Sequence, residues 1–142
     1  MSTRHSLESC HCFASRRGAR QVSRLYDRYL AQADIKSSQF ILLMAVSFNP
    51  DIQMNDLAEL MVMERTTLVR ALKPLQEEGW VASRKAESGR AHLFRVTPEG
   101  EAKIEQCSPY GEQARRELEK QVGKSRAEQI RDNNLAMSSI AF

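Results

Sequence analysis

Apolar residues recur at helical spacing along the first third of the chain. Over residues 7–33 only Gly18 interrupts a pattern in which apolar side chains return every three or four positions, which predicts one long first helix. A second helix is predicted to start at a serine cap, Ser37 or Ser38, and its run Phe40–Val46 is apolar on nearly every side. We therefore expect the second helix to be buried.

Two shorter amphipathic helices are predicted next. The third covers residues 56–61, with Asn55 as its N-cap and acidic residues in its first turn. Residues 62–64 form a tight turn without glycine. The fourth helix covers residues 65–78 and ends at Gly79, where a left-handed backbone costs little. Its inward stripe repeats at helical spacing and consists of Leu68, Leu72 and Leu75.

The apolar period then changes from that of a helix to that of a strand. Residues 80–85 and 92–97 read as two strands joined by a polar loop, which predicts a hairpin with a basic tip. Thr97 and Pro98 are typical of a helix start, so a fifth helix should run to about Val122. After the break at residues 123–125 a last helix is expected to reach Phe142.

Composition and charge narrow the class of protein. The 142 residues suit one domain, and 42% hydrophobic residues suffice for a core. The polar N-terminus, the lack of a long apolar run and the odd count of three cysteines favour a cytoplasmic protein with free thiols and no membrane partner. The net charge is only +3, yet residues 64–97 hold seven Lys or Arg against four acids, which suits a partner with phosphates.

Two short helices around a tight turn, followed by a basic hairpin, have the order of a winged helix-turn-helix. In such a unit the second short helix enters the major groove of DNA and the hairpin wing reaches along it. Arginine can bond guanine through two donors, threonine can contact bases or phosphates, and lysine suits phosphates. The candidate DNA contacts on the fourth helix are Arg65, Thr66, Thr67, Arg70 and Lys73, and those on the hairpin are Arg84, Lys85, Arg90 and His92.

An ordered set of segments resembles the MarR (multiple antibiotic resistance regulator) family of transcription factors. The segments span most of the chain and are Gln39–Leu43, Asp56–Glu59, Arg65–Leu75, Gly79–Val81 and Val96–Gly100. The resemblance implies an obligate homodimer with interleaved first, fifth and sixth helices, which binds a palindromic operator in double-stranded DNA. It also implies a repressor that a small aromatic acid or an oxidant releases.

The fold expected from these observations is mainly α with a small β-hairpin wing. We expect one domain over residues 1–142, with the winged helix-turn-helix at about 36–100 and dimerisation helices at about 7–33 and 98–142. Independently of the resemblance, the C-terminal helix carries apolar residues with no obvious partner in a winged unit, which favours a dimer. These residues are Leu135, Met137, Ile140 and Phe142.

The run Cys10-His11-Cys12 near the N-terminus has two competing interpretations. Neighbouring helical residues point about 100° apart, so the run does not match a zinc site, and we expect no metal and no cofactor. Cys12, with Cys10 beside it, could be a redox sensor at a helix start, with Cys107 as resolving partner. Cys12-Phe13 resembles the sensor of hydroperoxide-responsive relatives, and the resemblance gives Tyr26 the role of bonding the partner subunit's thiol. The alternative is that all three cysteines are small buried side chains.

Other functions are weaker fits. The chain lacks a phosphate-binding glycine loop and a nucleophile elbow, and its histidines are scattered, so we expect no enzymatic activity. A winged-helix module that binds only protein remains the alternative function. The first helix also carries an arginine ladder, interpreted either as a solvated or dimer-facing stripe or as the lining of a pocket for an acidic effector: Arg16, Arg17, Arg20, Arg24 and Arg28.

Overall fold

The computed structural model describes residues 6–142, and residues 1–5, which include His5, lie outside the described part. The first helix, α1 (His11–Leu30), starts at Cys10, whose extended backbone and Sγ cap it by accepting the Phe13 N–H at 3.4 Å. Single 3₁₀ turns precede and follow α1. The α-helix is therefore shorter than the predicted residues 7–33, because the extended backbone of Cys10 separates residues 7–9 from it and residues 31–33 tighten into a 3₁₀ turn. Asp34, in a left-handed conformation, ends that turn.

The second helix, α2 (Ser37–Phe48), is capped differently from the prediction. Lys36 is the N-cap, and the Ser37 N–H donates to Asp27 Oδ1 of α1 at 2.7 Å. The prediction of a serine cap was wrong because the helix already begins at Ser37, whose N–H, one of the unpaired donors of the first turn, is bound by a carboxylate from another helix. The expected burial is confirmed for the inward residues of α2, namely Phe40, Leu42, Leu43 and Val46.

Helices α3 (Met54–Met61) and α4 (Arg65–Glu77) flank the predicted tight turn. Gln53, and not Asn55, is the N-cap of α3, because the Asn55 side chain instead accepts a hydrogen bond from Arg65 Nη1 at 3.3 Å. Val62 forms the turn at φ 52° and ψ 49°, a left-handed conformation that is strained for a β-branched residue. Gly79 lies at φ 78° after α4, as predicted.

The sheet has three antiparallel strands where the sequence predicted two. Strands β2 (Val81–Lys85) and β3 (His92–Val96) form the predicted hairpin, and a two-residue strand, β1 (Ile52–Gln53), pairs with the other side of β3. In the register, Ile52 lies opposite Phe94 and Gln53 opposite Leu93. A two-residue strand is too short to show an alternating pattern, so the sequence could not reveal it.

Two apolar clusters hold these elements together. The larger one joins Leu43 of α2 and Leu57 of α3 to the predicted stripe of α4 and to the inner face of the sheet, including Phe94. The smaller one joins Leu30 at the end of α1 to Phe40 of α2 and Cys107 of the fifth helix. The winged helix-turn-helix is thus packed around one core and connected to the long helices by the other.

The last two helices are α5 (Pro98–Val122) and α6 (Lys124–Ser138). The Thr97 side chain caps α5 as predicted, since its Oγ1 accepts the Gly100 N–H at 3.0 Å and donates to the Gly79 carbonyl at 2.5 Å. Helix α6 ends at Ser138 rather than Phe142, and it has no buried residue within the chain. Within residues 6–142 no helix combines the length and apolarity needed to cross a bilayer.

Candidate nucleic-acid interface and neighbouring cleft

One face of α4 is buried and the opposite face is polar and exposed. Because Leu68, Leu72 and Leu75 point into the core, the 100° turn per residue directs Thr66, Arg70 and Lys73 away from it. The exposed side chains of this face can donate hydrogen bonds to bases and to phosphates. Thr67 lies at one margin of the face and is also exposed.

The two arginines of α4 have different surroundings. Arg65, the first residue of the helix, is held against α3 by its bond to Asn55. Arg70 has no ion-pair partner among residues 6–142. Lys73 lies 3.9 Å from Glu77, but both side chains are at least 65% exposed, so this contact is weak and leaves the ammonium accessible.

Val69 also belongs to the exposed side of α4, although it was not among the predicted DNA contacts. It is 47% exposed and lies one residue before Arg70. An exposed aliphatic side chain on a groove-binding helix can contact the methyl group of thymine. The inward leucine stripe, which omits this position, is the signal that could have identified it.

The wing carries its cations on the strands and on the tip. Arg84 and Lys85 end β2, and Arg90 follows Gly89, which turns the tip at φ 94°. All three are exposed, as is His92 at the start of β3. Arg84 lies 3.6 Å from Asp51, whose Oδ2 also accepts a hydrogen bond from a residue that sequence reasoning missed, Arg95, at 2.7 Å.

The cysteines occupy two distant regions of the chain. Cys10 and Cys12 are exposed at the start of α1, whereas Cys107 is buried and burial raises the pKa of its thiol. Cys107 packs in the cluster that contains Leu30. Leu30 lies about 27 Å from Cys12 along the axis of α1, at a rise of about 1.5 Å per residue. The role of Cys107 as resolving partner is thereby excluded within one chain.

Two further points of the N-terminal hypothesis change with the structure. Cys10 precedes α1, so the 100° spacing between neighbouring helical residues does not determine where its side chain points relative to that of Cys12. In the described part of the chain, no three His, Cys, Asp or Glu residues form a group that could hold a metal. Tyr26 lies about 21 Å along α1 from Cys12, so only a second chain could bring its phenol to that thiol.

A cleft of about 470 Å³ lies between the long helices and α2. Its walls are mainly apolar and come from four helices, with Val22 and Tyr26 from α1, Ile41 and Met44 from α2, Leu118 from α5, and Ile130 and Leu135 from α6. Burial raises the pKa of Tyr26, an effect that Arg115 opposes. The cleft has the size and lining of a small-molecule site.

The two arginines at the rim of this cleft are already paired with carboxylates. Arg115 bonds Glu112 on one side and Glu119 at 2.8 Å on the other, and its hydrogen bond lowers the pKa of Glu112. Arg131 lies 3.0 Å from Asp132. The arginine ladder of α1 does not line this cleft, and its Arg17, Arg20 and Arg24 border a separate open groove.

Comparisons with known proteins agree with this architecture. A model of the MarR family matches residues 33–91. An uncharacterized HTH-type transcriptional regulator of Bacillus subtilis, YwoH, is 28% identical over 90 residues, which are 63% of this chain and 66% of that protein, just under two thirds of its length.

Solved structures of transcriptional regulators match over nearly the whole chain. Mycobacterium tuberculosis MosR, in complex with DNA, is 28% identical with a TM-score of 0.81, over 92% of this chain and 94% of that one. CouR from Rhodococcus jostii, bound to p-coumaroyl-CoA, is 16% identical with a TM-score of 0.79, over 98% and 99% of the two chains.

Proposed function

Because this chain belongs to the MarR family of winged helix-turn-helix regulators, which are not enzymes, we propose that it is a homodimeric, sequence-specific DNA-binding transcriptional regulator that acts as a repressor. The observation that carries the proposal is the exposed face of α4, where Thr66, Arg70 and Lys73 lie opposite the buried leucine stripe. The DNA bound to MosR supports the same activity here.

The proposed contacts fall into two groups, those that bond base edges and those that bind the DNA backbone and position the protein. Arg70 and Thr66 would reach base edges from α4, with Arg65 and Thr67 at its margins, and Lys73 would bind phosphate. On the wing, Arg84 and Lys85 would follow the backbone, and Arg90 would enter the minor groove, whose potential attracts arginine.

The proposed dimer follows from the exposed apolar surface of α6 and the residues after it. Ile130, Leu135, Met137 and Ile140 are between 46% and 61% exposed in the single chain. Burying this surface against a second copy would stabilise a symmetric dimer and place two α4 helices on a palindromic operator. We accordingly divide the chain into a winged unit at about 36–100 and dimerisation helices at about 7–33 and 98–142.

Salt dependence of DNA binding tests the proposal against the protein-interaction module. We expect a duplex selected from a random pool to bind with a log affinity that falls linearly with log salt, by about 0.9 for each phosphate contacted. A scrambled duplex of the same composition should bind far more weakly. If no duplex is enriched and binding to any DNA is weak and insensitive to salt, the module that binds only protein becomes the better account.

The cleft is the proposed effector site. Its apolar walls and the Tyr26 phenol suit a small aromatic ligand, as does the p-coumaroyl group carried by the ligand of CouR. Because Glu112 and Glu119 already hold Arg115, an aromatic acid would have to displace a carboxylate to pair with this arginine.

Oxidation at Cys12 is the second proposed route of release. A hydroperoxide would convert the exposed Cys12 thiol to a sulfenic acid, the peroxide being reduced to an alcohol. We expect Cys12→Ser to keep its operator complex under hydroperoxide concentrations that dissociate the wild-type complex, in a gel-shift titration. Cys10→Ser is the matched control, since serine also caps α1. Release of Cys12→Ser at the wild-type concentration would reject Cys12 as the sensor.

A further inference from the structure

An acidic residue lies among the cations of the wing. Asp51 precedes β1, and because β1 runs antiparallel to β3 with Ile52 opposite Phe94, its position continues the ladder to Arg95. Oδ2 of Asp51 accepts a hydrogen bond from Arg95 Nη2 at 2.7 Å and lies 3.6 Å from Arg84 Nη2. One carboxylate thereby contacts guanidinium groups from both strands of the wing hairpin.

The strand register places both arginines on the outer face of the sheet. Phe94 is buried, so Arg95 beside it points the other way. Arg84 pairs with Leu93 and Ala82 with Arg95, which makes the two arginines diagonal neighbours on one face. Both side chains are about 60% exposed, so they can reach a molecule that approaches the wing.

The local backbone is also built around this carboxylate. Asp51 has φ 60°, a left-handed conformation that aspartate and asparagine tolerate better than most residues. Its Oδ1 is buried without a hydrogen-bond donor among residues 6–142. Burying part of a carboxylate costs free energy unless cations balance its charge, so the two guanidinium groups stabilise this arrangement.

We propose that Asp51 limits sequence-independent DNA binding by holding Arg95, which would otherwise bind a phosphate, whereas the longer 3.6 Å contact leaves Arg84 able to reach the DNA backbone. This inference rests on the proposed DNA-binding function. Phosphate contacts add affinity for every sequence and carry no sequence information. By pairing with Arg95 and repelling phosphates, Asp51 leaves a larger share of the binding free energy to α4 and to the wing tip, so it is a positioning residue that raises specificity.

The test compares Asp51→Asn with Asp34→Asn. Both substitutions raise the net charge equally, and Asp34 also has a left-handed backbone, at φ 54°, but it lies in the turn between α1 and α2, away from the wing. For Asp51→Asn we expect affinity for a scrambled duplex at low salt to rise roughly tenfold and the salt slope to steepen by about 2 per dimer, one phosphate per subunit. Asp34→Asn should match the wild type in slope.

Two further variants separate the charge of Asp51 from its structural role. Asp51→Gly removes the carboxylate and fits a left-handed backbone even better, so it should reproduce the steeper slope with a folded protein. In an Arg95→Gln background, Asp51→Asn should steepen the slope less than it does alone. A structural role alone would weaken binding to all DNA without changing the slope.

The outcomes separate this inference from the proposed function. The proposed role of Asp51 is supported if Asp51→Asn and Asp51→Gly bind DNA with a steeper salt dependence and a lower ratio of selected-duplex to scrambled-duplex affinity. Asp34→Asn should show neither change. If the wild type binds its selected duplex but Asp51→Asn has the same salt dependence and affinity ratio as Asp34→Asn, the proposed role of Asp51 is rejected. The proposed function as a DNA-binding regulator is then unaffected. If the wild type binds no duplex with salt-dependent affinity, the proposed function and this inference both fail.

Discussion

Replacing Arg70 with alanine is expected to weaken binding to the selected operator by about 1–3 kcal/mol, at least a fivefold loss, because a guanidinium that bonds a base through two donors contributes that much to discrimination. Arg70 lies in the middle of the exposed face of α4 and has no ion-pair partner in the described part of the chain. Its removal should leave the free energy of unfolding within about 0.5 kcal/mol of the wild type, as is usual for exposed positions. Titrations at matched salt with operator and scrambled duplexes measure the effect.

Lys73→Ala is the matched control for this prediction. Lys73 lies on the same face of α4 and loses one charge in the same way, but an ammonium is a point charge suited to phosphate. Its loss should lower affinity for both duplexes by a similar factor and make the salt slope shallower by about 0.9 per subunit. An Arg70→Ala variant that keeps the wild-type ratio of operator to scrambled affinity would place Arg70 among the phosphate contacts.

Features set by local sequence were predicted well. The leucine stripe of α4, Gly79 after it and the Thr97 cap of α5 each depend on residues within one or two helical turns. The outer face of α4 followed from the same stripe by helical geometry, which explains why its candidate contacts all lie exposed. Local periodicity thus determined both the helix and the surface that it presents.

Features that depend on distant residues were not predicted. The pairing of β1 with β3 and the bond from Asp51 to Arg95 join positions about 40 residues apart, and neither leaves a local pattern. The first N–H group of α2 is likewise bound by Asp27 of another helix. The cleft needs walls from four helices, so only their packing reveals it.

The junction between the wing and α5 connects the two functional parts of the fold. The Thr97 N–H donates to the Trp80 carbonyl at 2.9 Å, and the Thr97 hydroxyl donates to the Gly79 carbonyl. The start of β2 is thereby fixed to the first turn of α5, one of the proposed dimerisation helices. A displacement of α5 by an effector in the cleft would move the wing through these bonds.

Gly100→Ala is the substitution that should disrupt this junction most, with an expected loss of about 3 kcal/mol in the free energy of unfolding. Gly100 is buried in the first turn of α5, and a Cβ there would collide with the Trp80 carbonyl oxygen and lie 2.6 Å from Val96 Cγ1. The Trp80 carbonyl cannot retreat without breaking its bond to Thr97, so the strand and the helix must separate. Denaturant unfolding followed by circular dichroism measures the loss.

Gly18→Ala is the matched control because it adds the same methyl group to a different helix. No atom lies within 4 Å of the added Cβ in α1, so alanine should stabilise the chain there by up to about 1 kcal/mol through helix propensity alone. The two substitutions are thus expected to change stability in opposite directions, although both exchange a helical glycine for alanine. A Gly100→Ala variant as stable as the wild type would contradict the close contact between α5 and the wing, and with it the path by which an effector would reach the DNA.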